Sequence, residues 1–128
     1  MIIEHVCLNV VDIEKEREFY CSVFGFESNE KYHNANTGWE NYFLFSEEGG
    51  ARLELLSHEE MPLKTMDRKG SGLVHLSLAL GSKIKVCSTT ERLRAMGLTI
   101  LSEPRVTGDG YFESSFLDPE GIMVELTV

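Results

Sequence analysis

Four stretches of this chain alternate apolar and polar residues with the period of two that a β-strand imposes on side chains. Val6, Leu8 and Val10 alternate with His5, Cys7 and Asn9, and Leu53 and Leu55 alternate with Arg52, Glu54 and Leu56. Later, Val74, Leu76, Leu78 and Leu80 alternate with His75, Ser77 and Ala79, and Val124, Leu126 and Val128 with Met123, Glu125 and Thr127. One face of each strand is therefore nearly pure aliphatic and is predicted to pack under helices. The other face is mixed, as a cavity wall would be.

The intervening patterns complete the elements. A strand over residues 2–10 leads to Asp12, a helix N-cap, and then to Phe19, Tyr20, Val23 and Phe24 on one helical face. Gly25 stands where a left-handed helix stop belongs. Strands are predicted over 26–32, 39–46 and 51–57, with Glu47–Gly50 as the turn before the last. The order then repeats. A strand over 72–80 precedes a helix starting near Ser82, with Val86, Thr90, Leu93 and Met96 on one side and Gly97 as its stop. Strands over 98–102, 110–117 and 122–128 follow, the last after an Asp118-Pro119-Glu120-Gly121 turn.

This repetition is close in register. His5 and His75 stand 70 positions apart, Glu54 and Glu125 71, Gly25 and Gly97 72, and Gly50 and Gly121 71. The chain therefore reads as an α+β fold made of two tandem βαβββ modules, 1–57 and 72–128. Residues 58–71, polar and carrying Pro62 and Gly70, form the linker, and the whole of 1–128 forms one domain.

An ionisable side chain in the middle of an apolar strand is costly unless it has a partner. A single strand His is usually hydrogen-bonded or partly exposed, and a single Glu at a sheet margin is usually solvated. Here a His and a Glu recur at matching places in both copies. Two imidazoles and two carboxylates suit a borderline divalent ion such as Ni²⁺, Zn²⁺, Co²⁺, Mn²⁺ or Fe²⁺. On an octahedral ion they leave two positions for water or substrate, as catalysis by a metal requires. His5, Glu54, His75 and Glu125 are the predicted ligands of one ion per site. Asn9, Arg52 and Cys7 share the ligand face and are weaker candidates for touching substrate, Arg52 having an inter-strand ion pair as an equal alternative. His33 and His58 fall in polar stretches and are read as surface residues.

Composition narrows the partners. At 128 residues, with 42% hydrophobic and 26% charged content, the chain has enough for one core without staples. A net charge of −9 argues against nucleic acid and anionic membranes, which need a positive surface. Cys7, Cys21 and Cys87 make an odd count without CxxC spacing, so reduced thiols in a cytoplasmic protein are expected. No signal peptide and no membrane-spanning run is seen.

Taken together, the paired His and Glu, the doubled module and the closing Leu117-Asp118-Pro119-Glu120-Gly121 turn before Ile122-Met123-Val124-Glu125 resemble the vicinal-oxygen-chelate superfamily. That superfamily includes glyoxalase I, bleomycin-resistance proteins and extradiol dioxygenases. The ligand pattern is most similar to the short bacterial glyoxalase-I-like (lactoylglutathione lyase) proteins. The resemblance implies a curved, mostly antiparallel sheet around a metal-binding cavity and a homodimer. It also implies an isomerase-like lyase in which Glu125, with Glu54 sharing the transfer, moves a proton between adjacent carbons of a thiol adduct of a 2-oxoaldehyde through a metal-stabilised ene-diolate. Where many glyoxalase I enzymes hold glutathione with Arg and Asn, this chain has Asn9 and, approximately, His58, so the thiol stays open. The alternatives are an epimerase, a fosfomycin-type transferase, an extradiol dioxygenase and a drug-sequestering binding protein. The full His and Glu quartet favours none of them.

Overall fold

The computed structural model describes residues 1–63 and 71–128. Its elements run β1 (His5–Asn9), α1 (Ile13–Phe24), β2 (Glu27–Ser28), β3 (Tyr32–His33), β4 (Glu40–Phe45), β5 (Arg52–Ser57), β6 (Leu76–Ala79), α2 (Lys83–Ala95), β7 (Ile100–Val106), β8 (Phe112–Leu117) and β9 (Met123–Thr127). They fall into two compact units, Met1–Lys64 and Thr65–Val128, each a mixed sheet with one helix against it. The expected linker thus straddles the division, with 64–70 outside the described residues.

The strands are joined in two sheets rather than one. In the first unit the order is β1-β5-β4-β2, with β3 also paired to β4; in the second it is β6-β9-β8-β7. Both place a parallel pair at one edge, β1 with β5 and β6 with β9, and antiparallel pairs elsewhere. The edge strand of each unit enters the helix, and the last strand returns beside it. That return carries Glu54 to β1 and Glu125 to β6.

Both helices begin and end by the expected chemistry. Asp12 accepts from the Lys15 amide at 3.0 Å and Ser82 from the Lys85 amide at 3.3 Å, each satisfying a donor that the first helical turn leaves open. Gly25 and Gly97 follow the helices at φ +74° and +84°, a region where a side chain on Cα is strained. Phe19, Tyr20 and Val23 are buried on α1, and Val86, Thr90 and Leu93 on α2. Met96, read as the end of that second stripe, is exposed, because the helix has already capped there. The Thr90 hydroxyl donates to the Val86 carbonyl at 2.7 Å and meets Ser114 at 2.7 Å, so this polar pair under α2 is satisfied.

The aliphatic faces pack as alternation requires. Leu8, Val10, Leu53 and Leu55 are buried in the first unit and Val124 and Leu126 in the second. Leu76, Leu78 and Leu80 on and beside the edge strand β6 are only half-buried.

Two boundaries differ from expectation for physical reasons. The run 26–32 is not one strand. The Asn29 side chain accepts from the Phe43 amide at 2.8 Å, taking a bond the ladder would use, and the register against β4 shifts by one residue between β2 and β3. Strand β7 extends past the expected 98–102 to Val106, through Pro104. As an edge strand with register shifts it tolerates a residue without an N–H.

Candidate functional site

Each unit brings its own His and Glu together. In the first, β1 and β5 run parallel with Cys7 opposite Glu54 and His5 opposite Arg52, so alternation puts His5, Cys7, Arg52 and Glu54 on one face. The His5 Nε2 stands 3.6 Å from Glu54 Oε2. In the second, His75 lies one residue before β6 rather than inside it, and its Nε2 stands 3.1 Å from Glu125 Oε2. Asp118 sets the register there. Its carboxylate accepts from the amides of Glu120 at 3.0 Å and Ile122 at 2.8 Å, closing the turn that places Glu125 opposite Ser115.

Among the described residues these donors come in twos; no three of His, Cys, Asp or Glu stand together as a ready metal cluster. The pairs themselves have the right form. Two neighbouring ligands about 2.1 Å from one octahedral ion lie roughly 3 Å apart, close to the two observed separations. Each pair also leaves its imidazole Nε2 turned toward the carboxylate, the arrangement in which both can face one cation. The chemistry of each pair therefore suits a divalent ion.

The surroundings of the two pairs differ. Glu54 Oε1 accepts from Asn41 Nδ2 at 2.9 Å, which fixes that carboxylate from the neighbouring strand. His5 Nδ1 lies 2.5 Å from Glu4 Oε2, and the Arg52 guanidinium is ion-paired with the other oxygen of Glu4. The hydrogen bond from His5, and after burial's opposing effect the Arg52 contact, hold the Glu4 carboxyl below its ordinary pKa. Phe43 meets the His5 ring edge-on at 5.5 Å, and Arg52 lies over the same phenyl face at 4.3 Å. On the other pair, burial raises the pKa of Glu125; His75 pulls against that rise and Glu113 adds to it. A carboxylate so placed is a stronger base than a free one.

Glu4, Asn41 and the role of Phe43 escaped the sequence pattern. Glu4 precedes β1, so strand alternation says nothing of it; its adjacency to a candidate ligand was the one available signal. Arg52 is ion-paired with Glu4. Asn9 is exposed on the ligand face, paired in register with Leu56.

Cys7 is exposed on that face, but burial of its sulfur and the adjacent Glu54 carboxylate push the thiol up to about 11. In metal-free protein, alkylation of Cys7 near neutral pH, followed by peptide mass spectrometry, is expected to be about 100-fold slower than that of a small free thiol, since only the thiolate reacts. A rate equal to the free thiol's would show that neither burial nor Glu54 holds the thiol up.

His33 and His58 lie outside the ligand pairs. A cleft of about 650 Å³ in the first unit is lined by both, with Glu14, Lys31 and Glu40. Its charges pair with one another: Lys31 with Glu14 at 2.9 Å, and His33 with Glu40 at 3.1 Å. His58 is half-buried rather than a plain surface residue, with Nε2 3.0 Å from the Thr37 carbonyl and its ring tilted against Trp39 at 5.2 Å.

Two edge-paired His and Glu sets on duplicated βαβββ units define a class of protein, and the comparison with known families agrees. Residues 2–126 match the Glyoxalase/Bleomycin resistance protein/Dioxygenase superfamily, and the chain belongs to it. It is 29% identical over 125 residues to a protein of Vibrio cholerae named probable lactoylglutathione lyase, covering 95% of this chain and 86% of that one. Among solved structures, a glyoxylase/bleomycin resistance protein/dioxygenase domain from Frankia superposes with a TM-score of 0.85 at 19% identity, covering 100% of this chain and 97% of that one. A glyoxalase I mutant from Zea mays superposes at 0.79 and 24% identity over 98% of this chain, which spans 44% of the maize chain. At such identities the structural likeness speaks for the fold. No helix among the described residues is long and apolar enough to cross a membrane.

Proposed function

We propose that this protein is a divalent-metal-dependent lyase of the glyoxalase I type. Its substrate is the thiol adduct of a 2-oxoaldehyde, or a similar small molecule with oxygens on adjacent carbons. The observation that carries this reading is the doubled pair, His5 with Glu54 and His75 with Glu125, each Nε2 turned to a carboxylate oxygen at 3.6 and 3.1 Å. The name of the Vibrio relative and the superfamily membership support it.

In this reading the four side chains hold one ion of nickel, zinc, cobalt, manganese or iron. When bound, the ion supplies Lewis-acid stabilisation of negative charge on the substrate's two oxygens. Glu125 accepts the proton from the carbon bearing the sulfur and returns it to the neighbouring carbon, so no electron is gained or lost overall. Glu54, tied by Asn41, serves mainly as a ligand and shares the transfer. Open sheets such as these, each ending in edge strands, favour a homodimer, with each site built within one chain or between two.

Purification without chelator, metal analysis and assays of methylglyoxal loss with a panel of thiols test the proposal. About one ion per chain and activity with one thiol are expected. Chelation should abolish that activity, and re-addition of one of the five metals should restore it. Bound metal should also raise the melting temperature with concentration, as a ligand selective for the folded state must. Failure to bind any of the five would overturn the reading. Oxygen uptake with catechols in its place would assign the dioxygenase branch.

A further inference from the structure

We propose that Glu4, gripped by Arg52, is a positioning residue that sets His5 for metal binding, and that the second unit lacks this device, so the two histidines are unequal ligands. The inference rests on the metal-binding reading above.

A neutral imidazole carries one proton on either nitrogen and can ligate only through the other. Left alone, the ring samples both forms and both flips. At His5 the choice is made by four contacts that close on themselves. Nδ1 meets the Glu4 carboxylate at 2.5 Å, Glu4 is paired with the Arg52 guanidinium, Arg52 lies over Phe43 at 4.3 Å, and Phe43 meets the edge of His5 at 5.5 Å. The Arg52 amide also donates to the Glu4 carbonyl at 2.9 Å, fixing the two backbones on either side of the ring. A carboxylate at Nδ1 keeps the proton there, leaves the Nε2 lone pair facing Glu54, and makes the ring a better donor to a cation.

The duplication supplies an internal comparison. At the places corresponding to Glu4 and Arg52 the second unit has Val74 and Met123, which can neither accept from an imidazole nor hold a carboxylate. His75 instead faces Glu125 directly at 3.1 Å. The acidic clamp is therefore a property of one copy. Its stabilising value is small, because Glu4 and Arg52 are 57% and 40% exposed and solvent screens their attraction. Removing it should leave the fold intact and the ligand disturbed.

Calorimetric titration of Co²⁺ or Ni²⁺ into metal-free wild type, Glu4→Ala, Glu4→Gln and Val74→Ala tests the proposal, together with long-range proton–nitrogen NMR of the metal-free histidines held neutral. Glu4→Ala is expected to bind metal about 10–100-fold more weakly, at a nearly unchanged melting temperature. Glu4→Gln keeps an acceptor but loses the charge that Arg52 grips, and should fall between. Val74→Ala should match wild type. In the spectra His5 should be protonated on Nδ1 in wild type and lose that preference in Glu4→Ala, with His75 unmoved. Unaltered affinity in Glu4→Ala, or a wild-type His5 protonated on Nε2, would overturn the positioning role. If wild type binds no metal, it is the proposed function that fails, and the His5 spectrum still decides what Glu4 does.

Discussion

Replacing Glu125 by glutamine is expected to lower kcat toward the thiol adduct by roughly 10²–10⁴-fold, the usual contribution of a positioned general base. The amide is nearly the same size and can still meet His75, so the β8–β9 hairpin and its Asp118 turn should survive. What disappears is the acceptor for the substrate's proton. Glu54→Gln should act differently. Its carboxylate is held by Asn41 at 2.9 Å and turned to His5, so the main loss is expected in metal affinity, with activity partly recovered at high metal concentration. Titrating each variant with metal while following turnover separates the two. If saturating metal restores Glu125→Gln fully, the assignment of the base is wrong.

In the first unit's core, Leu55→Ala is expected to cost about 2–5 kcal/mol of folding free energy, from lost transfer energy and the cavity left behind. Leu55 is fully buried on β5, between Leu8 of β1 and Tyr42 of β4, on the face that α1 covers. Its neighbour Leu56 points to the ligand face and is half-buried, so Leu56→Ala should cost clearly less. Urea unfolding of both variants checks this, the midpoint falling without a change of slope. Equal losses at 55 and 56 would mean that the two faces are not distinguished as alternation requires.

That contrast also marks how far the sequence could be read. Period-two alternation identified the buried and ligand faces of β1, β5 and β9 because each has one apolar side, and a slip of one residue would expose it. The cap at Asp12, the helix start near Ser82 and the stops at Gly25 and Gly97 were readable because their chemistry is local. Where a contact or a place in the sheet decided the outcome, the reading broke down. Asn29 interrupts the strand expected over 26–32 through a bond to Phe43, fourteen residues away, and β7 passes through Pro104 because it lies at an edge. His75, expected inside a strand, sits just before one.

By itself the sequence determined the repeated spacing, most of the order of elements and the four candidate ligands, since these follow from spacing and from the cost of placing ionisable groups on apolar strands. Only the tertiary structure decided that the donors meet as His5 with Glu54 and His75 with Glu125, because the parallel pairing of β1 with β5 and β6 with β9 joins positions some fifty residues apart. It also decided that the pairs are unlike. The hold of Glu4, Arg52 and Phe43 on His5 depends on three strands converging at one ring, and no local pattern records where such strands meet.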